Sequence, residues 1–195
     1  MTTITMDEVK KLRDATGISI MQCKKALEEA DGDIEKAKIA LRKKASADAA
    51  KKGDRAFGAV CSAAYIHQGG KVATLVQLVC ETDFVAQNPE FIALANEIAI
   101  HVAGLNPEFV KEEDINEEVK AKYMAVFLDE AVKSGKPQEI QAKIAEGKWS
   151  EFLAGSVLMN QKFLKDDSKT ISNLISDAIQ KFGENISVSK FVRFS

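Results

Sequence analysis

The sequence predicts an α+β protein: an N-terminal three-helix module, then a core in which a small antiparallel sheet of about three strands is packed with helices. Three observations predict it. Short apolar stripes, each opened by a capping residue, crowd into residues 5 to about 44. Two strand-like runs, Gly58 to His67 and Lys71 to Cys80, flank Gln68-Gly69-Gly70, a turn that glycine makes cheap. A last alternating run, Ile186 to Phe194, lies far along the chain and supplies the third strand.

In order, Thr5-Met6-Asp7-Glu8 fits a capping box, Val9 and Leu12 form a stripe, and Gly17 is the stop. Ser19-Ile20-Met21-Gln22 is a second box, leading into Cys23, Ala26, Leu27 and Ala30. Asp33 caps a third helix with Ile34, Ala37 and Leu41 on one face. Helices this short are marginal alone and must pack together. Residues 42–56 change character, with six basic groups among alanines, and mark a solvated helical or loose linker. The division is therefore 1–44 module, 45–56 basic linker and 57–195 core. Beyond the hairpin, Phe91, Leu94, Ala95, Ile98, Val102 and Leu105 repeat at helical spacing. Val119, Tyr123, Val126 and Phe127 mark a helix stopped by Ser134-Gly135-Lys136-Pro137. Two shorter helices are expected around Glu139–Glu146 and Trp149–Leu158, and another from Ile171 to Phe182, halted at Gly183.

Composition excludes several classes. Hydrophobic residues make up 46% and charged residues 29% of the 195, ordinary for a chain that buries a core. A formal net charge of -2 argues against a surface built for nucleic acid or anionic membrane. No apolar run approaches the roughly 20 residues of a membrane helix, and the first residues lack both a basic and an apolar leader segment. Cys23, Cys61 and Cys80 form no CxxC pair and read as reduced thiols in a cytoplasmic protein. His67 and His101 stand at no ligand spacing from a cysteine, so no metal is expected.

Catalytic motifs are missing: the sequence holds no GxxxxGK[ST], GxGxxG or HExxH. Cys80 near Asp83 lacks a histidine or lysine nearby to activate it. The expectation is a protein that is not an enzyme and carries no cofactor. The most informative segment is Cys80-Glu81-Thr82-Asp83-Phe84-Val85-Ala86-Gln87-Asn88-Pro89. A strand run stops there and a helix starts at once, with Asn88 as cap and Pro89 in the first helical position. Phe84 on this corner either folds inward as core or is held out for a partner. Burial is the usual fate of Phe, yet Val85 and Ala86 already supply inward contacts. The residues alone leave both open.

Three ordered sets of residues resemble the bacterial elongation factor Ts family. Val9-Lys10-Lys11-Leu12-Arg13-Asp14-Ala15-Thr16-Gly17 through Met21-Gln22-Cys23-Lys24-Lys25-Ala26-Leu27 and Gly32-Asp33 is similar to its ubiquitin-associated-like module. Thr82-Asp83-Phe84-Val85-Ala86 with Asn88 resembles the core signature. Ser134-Gly135-Lys136-Pro137, Ser168-Lys169-Thr170 and Phe191-Val192-Arg193-Phe194 resemble the C-terminal portion. Gln22 departs from the family, where aspartate is common. Length departs too: long members carry two core subdomains and a coiled-coil insertion, whereas a single core here resembles the short form, which dimerises.

The resemblance implies guanine-nucleotide exchange on elongation factor Tu, in its GDP-bound or nucleotide-free form, within translation elongation. It implies that Thr82, Asp83, Phe84 and Val85 meet the partner and displace Mg²⁺, with Asp83 and Phe84 as the wedge. It makes Lys10, Leu12, Arg13, Ile20 and Met21 the docking contacts of residues 1–44, and the core the seat of a homodimer. Two other classes remain in view: a nucleic-acid-binding module using the helices and the basic linker, and an enzyme using Cys80.

Overall fold

The computed structural model describes residues 4–195, so the parts of the leader and module readings that fall on residues 1–3 lie outside the described residues. In chain order the elements are α1 (Met6–Thr16), α2 (Ile20–Glu29), α3 (Ile34–Lys52), β1 (Ala59–Ile66), β2 (Ala73–Cys80), α4 (Asp83–Ala86), α5 (Pro89–Leu105), α6 (Glu117–Val132), α7 (Gln138–Ser156), β3 (Lys162–Phe163), β4 (Asp166–Thr170), α8 (Ile171–Phe182) and β5 (Ser187–Phe194). The antiparallel sheet runs β1-β2-β5, with β2 in the middle. The fold is α+β, as the sequence predicts.

The chain divides into two compact units. Among the described residues the first comprises 4–62, 77–95 and 172–188. Its helical module forms as the caps dictate. Thr5 and Glu8 complete a reciprocal capping box, the Ser19 hydroxyl accepts from the Gln22 N–H, and the Asp33 carboxylate accepts from the N–H groups of Glu35 and Lys36. Gly17 ends α1 at φ 69°, a left-handed conformation that costs glycine nothing. The three helices close on Leu12, Leu27 and Cys23, each with no exposed surface. Residues 45–52 continue α3, with Ala45 buried, and Lys52 Nζ donates to the Ile179 carbonyl. Elsewhere in this unit Phe91 and Phe182 meet edge to face at 5.8 Å, and Lys181 pairs with Glu90.

The second unit comprises residues 63–76, 96–171 and 189–195. α6 and α7 pack side by side, with Ala131 and Ala145 buried where the backbones come close. Tyr123 and Trp149 lie 4.2 and 5.3 Å from the Phe152 ring. α7 corrects the expectation of two helices around 139–146 and 149–158: it is continuous through Gly147. Glycine inside a helix costs about 1 kcal/mol, which packing along α6 outweighs. The β3–β4 pair is a feature the sequence reading lacked. It is pinned to α5 by His101, which is fully buried. The His101 Nε2 meets Gln161 Oε1 at 2.9 Å, and its Nδ1 accepts the Leu164 N–H at 3.2 Å. An accepting Nδ1 requires the neutral ring with the proton on Nε2. Burial also holds the His101 pKa below its ordinary value.

Candidate functional site

The corner forms where β2 runs out of apolar residues. Thr82 leaves the strand in an extended conformation and caps α4, its hydroxyl accepting from the Val85 N–H at 3.5 Å. That single turn buries Val85 and Ala86, which are 4% and 7% exposed. The same turn directs Asp83 and Phe84 to solvent. Phe84 is 83% exposed, the most exposed large apolar side chain in the described residues. The question the residues left open is thereby answered: Val85 and Ala86 supply the inward contacts, and Phe84 stands out. α5 starts directly after, with the Asn88 carboxamide oxygen accepting from the Glu90 N–H at 2.9 Å.

Charged groups clamp the base of this corner. Glu184 Oε2 accepts the N–H groups of Glu81 and Thr82 at 3.0 and 3.1 Å, and its Oε1 accepts the Thr82 hydroxyl at 2.5 Å. Glu81 answers in the opposite direction: its carboxylate accepts the Asn185 N–H at 2.6 Å and the Arg55 guanidinium at 3.3 Å. The Asn185 N–H, and then Arg55, hold the Glu81 carboxyl below its usual pKa. Asn185 Nδ2 in turn donates to the carbonyls of Arg55 at 2.9 Å and Gly53 at 3.3 Å. The Glu81 carbonyl sits where a Cβ on Gly58 would come within 2.5 Å of it, so only glycine allows β1 to start there. Sequence reading missed Glu184, Asn185 and Arg55. Glu184 and Asn185 lie about a hundred positions from the corner and Arg55 26 positions from Glu81, and no local pattern ties them to it.

Cys80 beneath the corner is buried, and its thiol donates to the Thr82 carbonyl at 3.3 Å. Burial first, then the Glu184 charge, push its pKa up to about 11, which withholds the thiolate a nucleophile needs. Among the described residues no group of His, Cys, Asp and Glu could hold a metal ion. No described helix is long and apolar enough to cross a membrane.

On the helical module the five expected docking residues separate. Lys10 and Arg13 are exposed on α1, and Ile20 and Met21 open α2 at 42% and 81% exposure. Leu12 has no exposed surface, so it belongs to the module's core and supports the others from within. Val85 at the corner is likewise internal, an anchor for Phe84 rather than a contact surface.

The "Elongation factor TS" family model matches residues 4–195. Elongation factor Ts of Thermosipho melanesiensis is 49% identical over 187 residues, covering 96% of this chain and 95% of its own length. That of Coprothermobacter proteolyticus is 48% identical over 192 residues, covering 98% of each. That of Geobacter sulfurreducens is 43% identical over 191 residues, covering 98% of this chain and 88% of its own. With the module, the corner and the C-terminal strand all inside these matches, the chain belongs to the elongation factor Ts family.

Proposed function

We propose that this protein is a guanine-nucleotide exchange factor for elongation factor Tu, and that it promotes GDP release by driving Asp83 and Phe84 between partner helices near the nucleotide and its Mg²⁺. It works without an active site or cofactor of its own, in the cytoplasm. The observation that carries the reading is Phe84, a large apolar ring held in water on a turn whose every other apolar residue is buried. Exposing such a ring gains the free protein nothing, whereas a partner that covers it gains the full burial.

Energy limits what the wedge does alone. Weakening nucleotide binding a thousandfold takes about 4 kcal/mol of coupling. Burying one Phe supplies about 1.5–3 kcal/mol, part of which goes into separating partner helices. The remainder comes from docking of the helical module through Lys10, Arg13, Ile20 and Met21. Coupling is reciprocal, so a partner reloaded with nucleotide releases the factor.

The core is a homodimer on this reading, each dimer serving two partners. What supports it is the exposure of Ile66, Leu75, Val192 and Phe194 on the sheet strands, at 69%, 43%, 40% and 63%. A second copy presenting the same residues about a two-fold axis covers them. Release of fluorescent GDP from elongation factor Tu, with and without this protein, tests exchange; an unchanged rate refutes it. A strict monomer on gel filtration that exchanges at full rate refutes the dimer.

A further inference from the structure

We infer that Glu184 is a positioning residue for exchange, its carboxylate setting the direction in which the turn bearing Asp83 and Phe84 leaves the sheet. The inference rests on the wedge reading above and adds to it a residue from the far end of the chain. α4 is one turn of four residues, too short to hold its own shape. Two things hold it: the inward anchors Val85 and Ala86, and its cap. Thr82 Oγ1 has one proton, and that proton is committed to Glu184 Oε1 at 2.5 Å, a short charge-assisted bond. The hydroxyl lone pairs are thereby left to face the Val85 N–H. Glu184 Oε2 meanwhile gathers the N–H groups of Glu81 and Thr82, the last two residues before the turn. All three donors on this carboxylate belong to the base of the wedge.

Glu184 itself stands on firm ground, between the end of α8 at Phe182 and the start of β5 at Ser187. The neighbouring Asn185 carries the connection onward. Its N–H holds Glu81, and its side chain holds the carbonyls of Gly53 and Arg55 just past the last helix of the docking module. One continuous polar path thus runs from the end of α3 to the turn that bears Phe84. A wedge driven by docking elsewhere needs such a stiff connection, because a hinge at residue 81 or 82 would let Phe84 fold back instead of entering. Glu184 is half-buried and accepts three hydrogen bonds, so removing it also costs stability, which the unfolding control reads separately. Its three donors restrain the two residues about which the wedge would swing.

The test uses the full chain with Glu184→Ala, Glu184→Gln, Phe84→Ala and the Phe84→Ala/Glu184→Ala double variant. Fluorescent GDP release from elongation factor Tu is followed over a range of factor concentrations, alongside thermal unfolding. Glu184→Ala is expected to lower the saturating release rate about tenfold or more, since a misplacement of about 1 Å in a positioned group costs up to about a hundredfold. The half-saturating concentration is expected to move less than about threefold, because the docking module is untouched. Glu184→Gln keeps an oxygen for the two N–H groups and falls between Ala and wild type. On the Phe84→Ala background, removing Glu184 should cost less than about twofold further, because the group it aims is gone. An equal factor with and without Phe84 overturns the inference, as does a full rate in folded Glu184→Ala. Should Glu184→Ala fail to fold, Glu184→Gln decides on the same terms, and wild-type exchange there overturns the inference. If Phe84→Ala itself exchanges normally, the wedge reading falls; if it is slow while the Glu184 variants are fast, only the positioning role falls.

Discussion

Replacing Phe84 by alanine separates a wedge from a core residue, because the two roles predict opposite outcomes in two assays. A fully buried Phe contributes about 1.5–3 kcal/mol by area. Phe84 is 83% exposed, so about one sixth of that is realised in the free protein, about 0.3–0.5 kcal/mol. Loss of fold stability on Phe84→Ala should therefore be close to the error of a urea titration. On the wedge reading the ring is covered in the complex, and truncation removes most of that burial. A loss of about 1.5–3 kcal/mol in the state that opens the partner slows GDP release about tenfold to a hundredfold. The assay is stopped-flow release of fluorescent GDP from elongation factor Tu, with urea unfolding of the same preparation as control. A variant that loses several kcal/mol of stability places the ring in the core. A stable variant that exchanges at the wild-type rate removes Phe84 from the mechanism. Either result refutes the reasoning.

Three further outcomes follow from other parts of the structure. Met21→Asp, on a side chain 81% exposed, should leave the melting temperature unchanged while weakening binding to elongation factor Tu about five- to thirtyfold; titration calorimetry reads both partners directly. Gly58→Ala puts a Cβ within 2.5 Å of the Glu81 carbonyl, backbone against backbone, so it should cost about 1–3 kcal/mol in urea unfolding and slow exchange by displacing the clamp. The folded-state pKa of His101 is depressed below 6.5, so between those two values the unfolded chain binds the extra proton. Stability should therefore fall as pH is lowered from about 6.5 and level off below the folded-state pKa; His101→Leu should flatten that slope in melting curves across the range.

Local chemistry made most of the fold legible. Thr5, Ser19 and Asp33 each cap the helix expected of them, and Asn88 caps the helix that Pro89 begins. Apolar runs flanking the glycine turn gave both hairpin strands, and alternation the last strand, each within a residue or two. What stayed hidden depends on contacts distant in sequence. β3 and β4 carry Lys162-Phe163 and Asp166-Asp167-Ser168-Lys169-Thr170, which hold no apolar alternation. They pair because His101 and Gln161 fix the chain between them and α5. Two shorter helices were expected around 139–146 and 149–158 because propensity is local, yet packing against α6 keeps α7 continuous through Gly147. Phe84 was ambiguous because its direction follows from Val85 and Ala86 filling the inward side first. Leu12 and Val85 were placed among contact residues by their position within motifs, but both are buried. A motif marks which residues matter without separating those that touch a partner from those that hold the touching residue still.

That separation explains why the corner is built with so much polar machinery beneath one exposed ring. A coupling of about 4 kcal/mol exceeds what a single Phe delivers, so on the wedge reading docking elsewhere drives insertion. Energy gained at α1 and α2 reaches Phe84 only if the intervening backbone resists bending. α3 supplies the first rigid length, running unbroken from Ile34 to Lys52. Asn185 ties the residues after it to Glu81, and Glu184 ties Glu81 and Thr82 to the base of α8. Stiffness here substitutes for affinity: the less the corner yields, the larger the share of docking energy spent on opening the partner. Loosening the clamp should therefore lower the exchange rate while leaving docking nearly intact, and weakening the docking face should do the reverse.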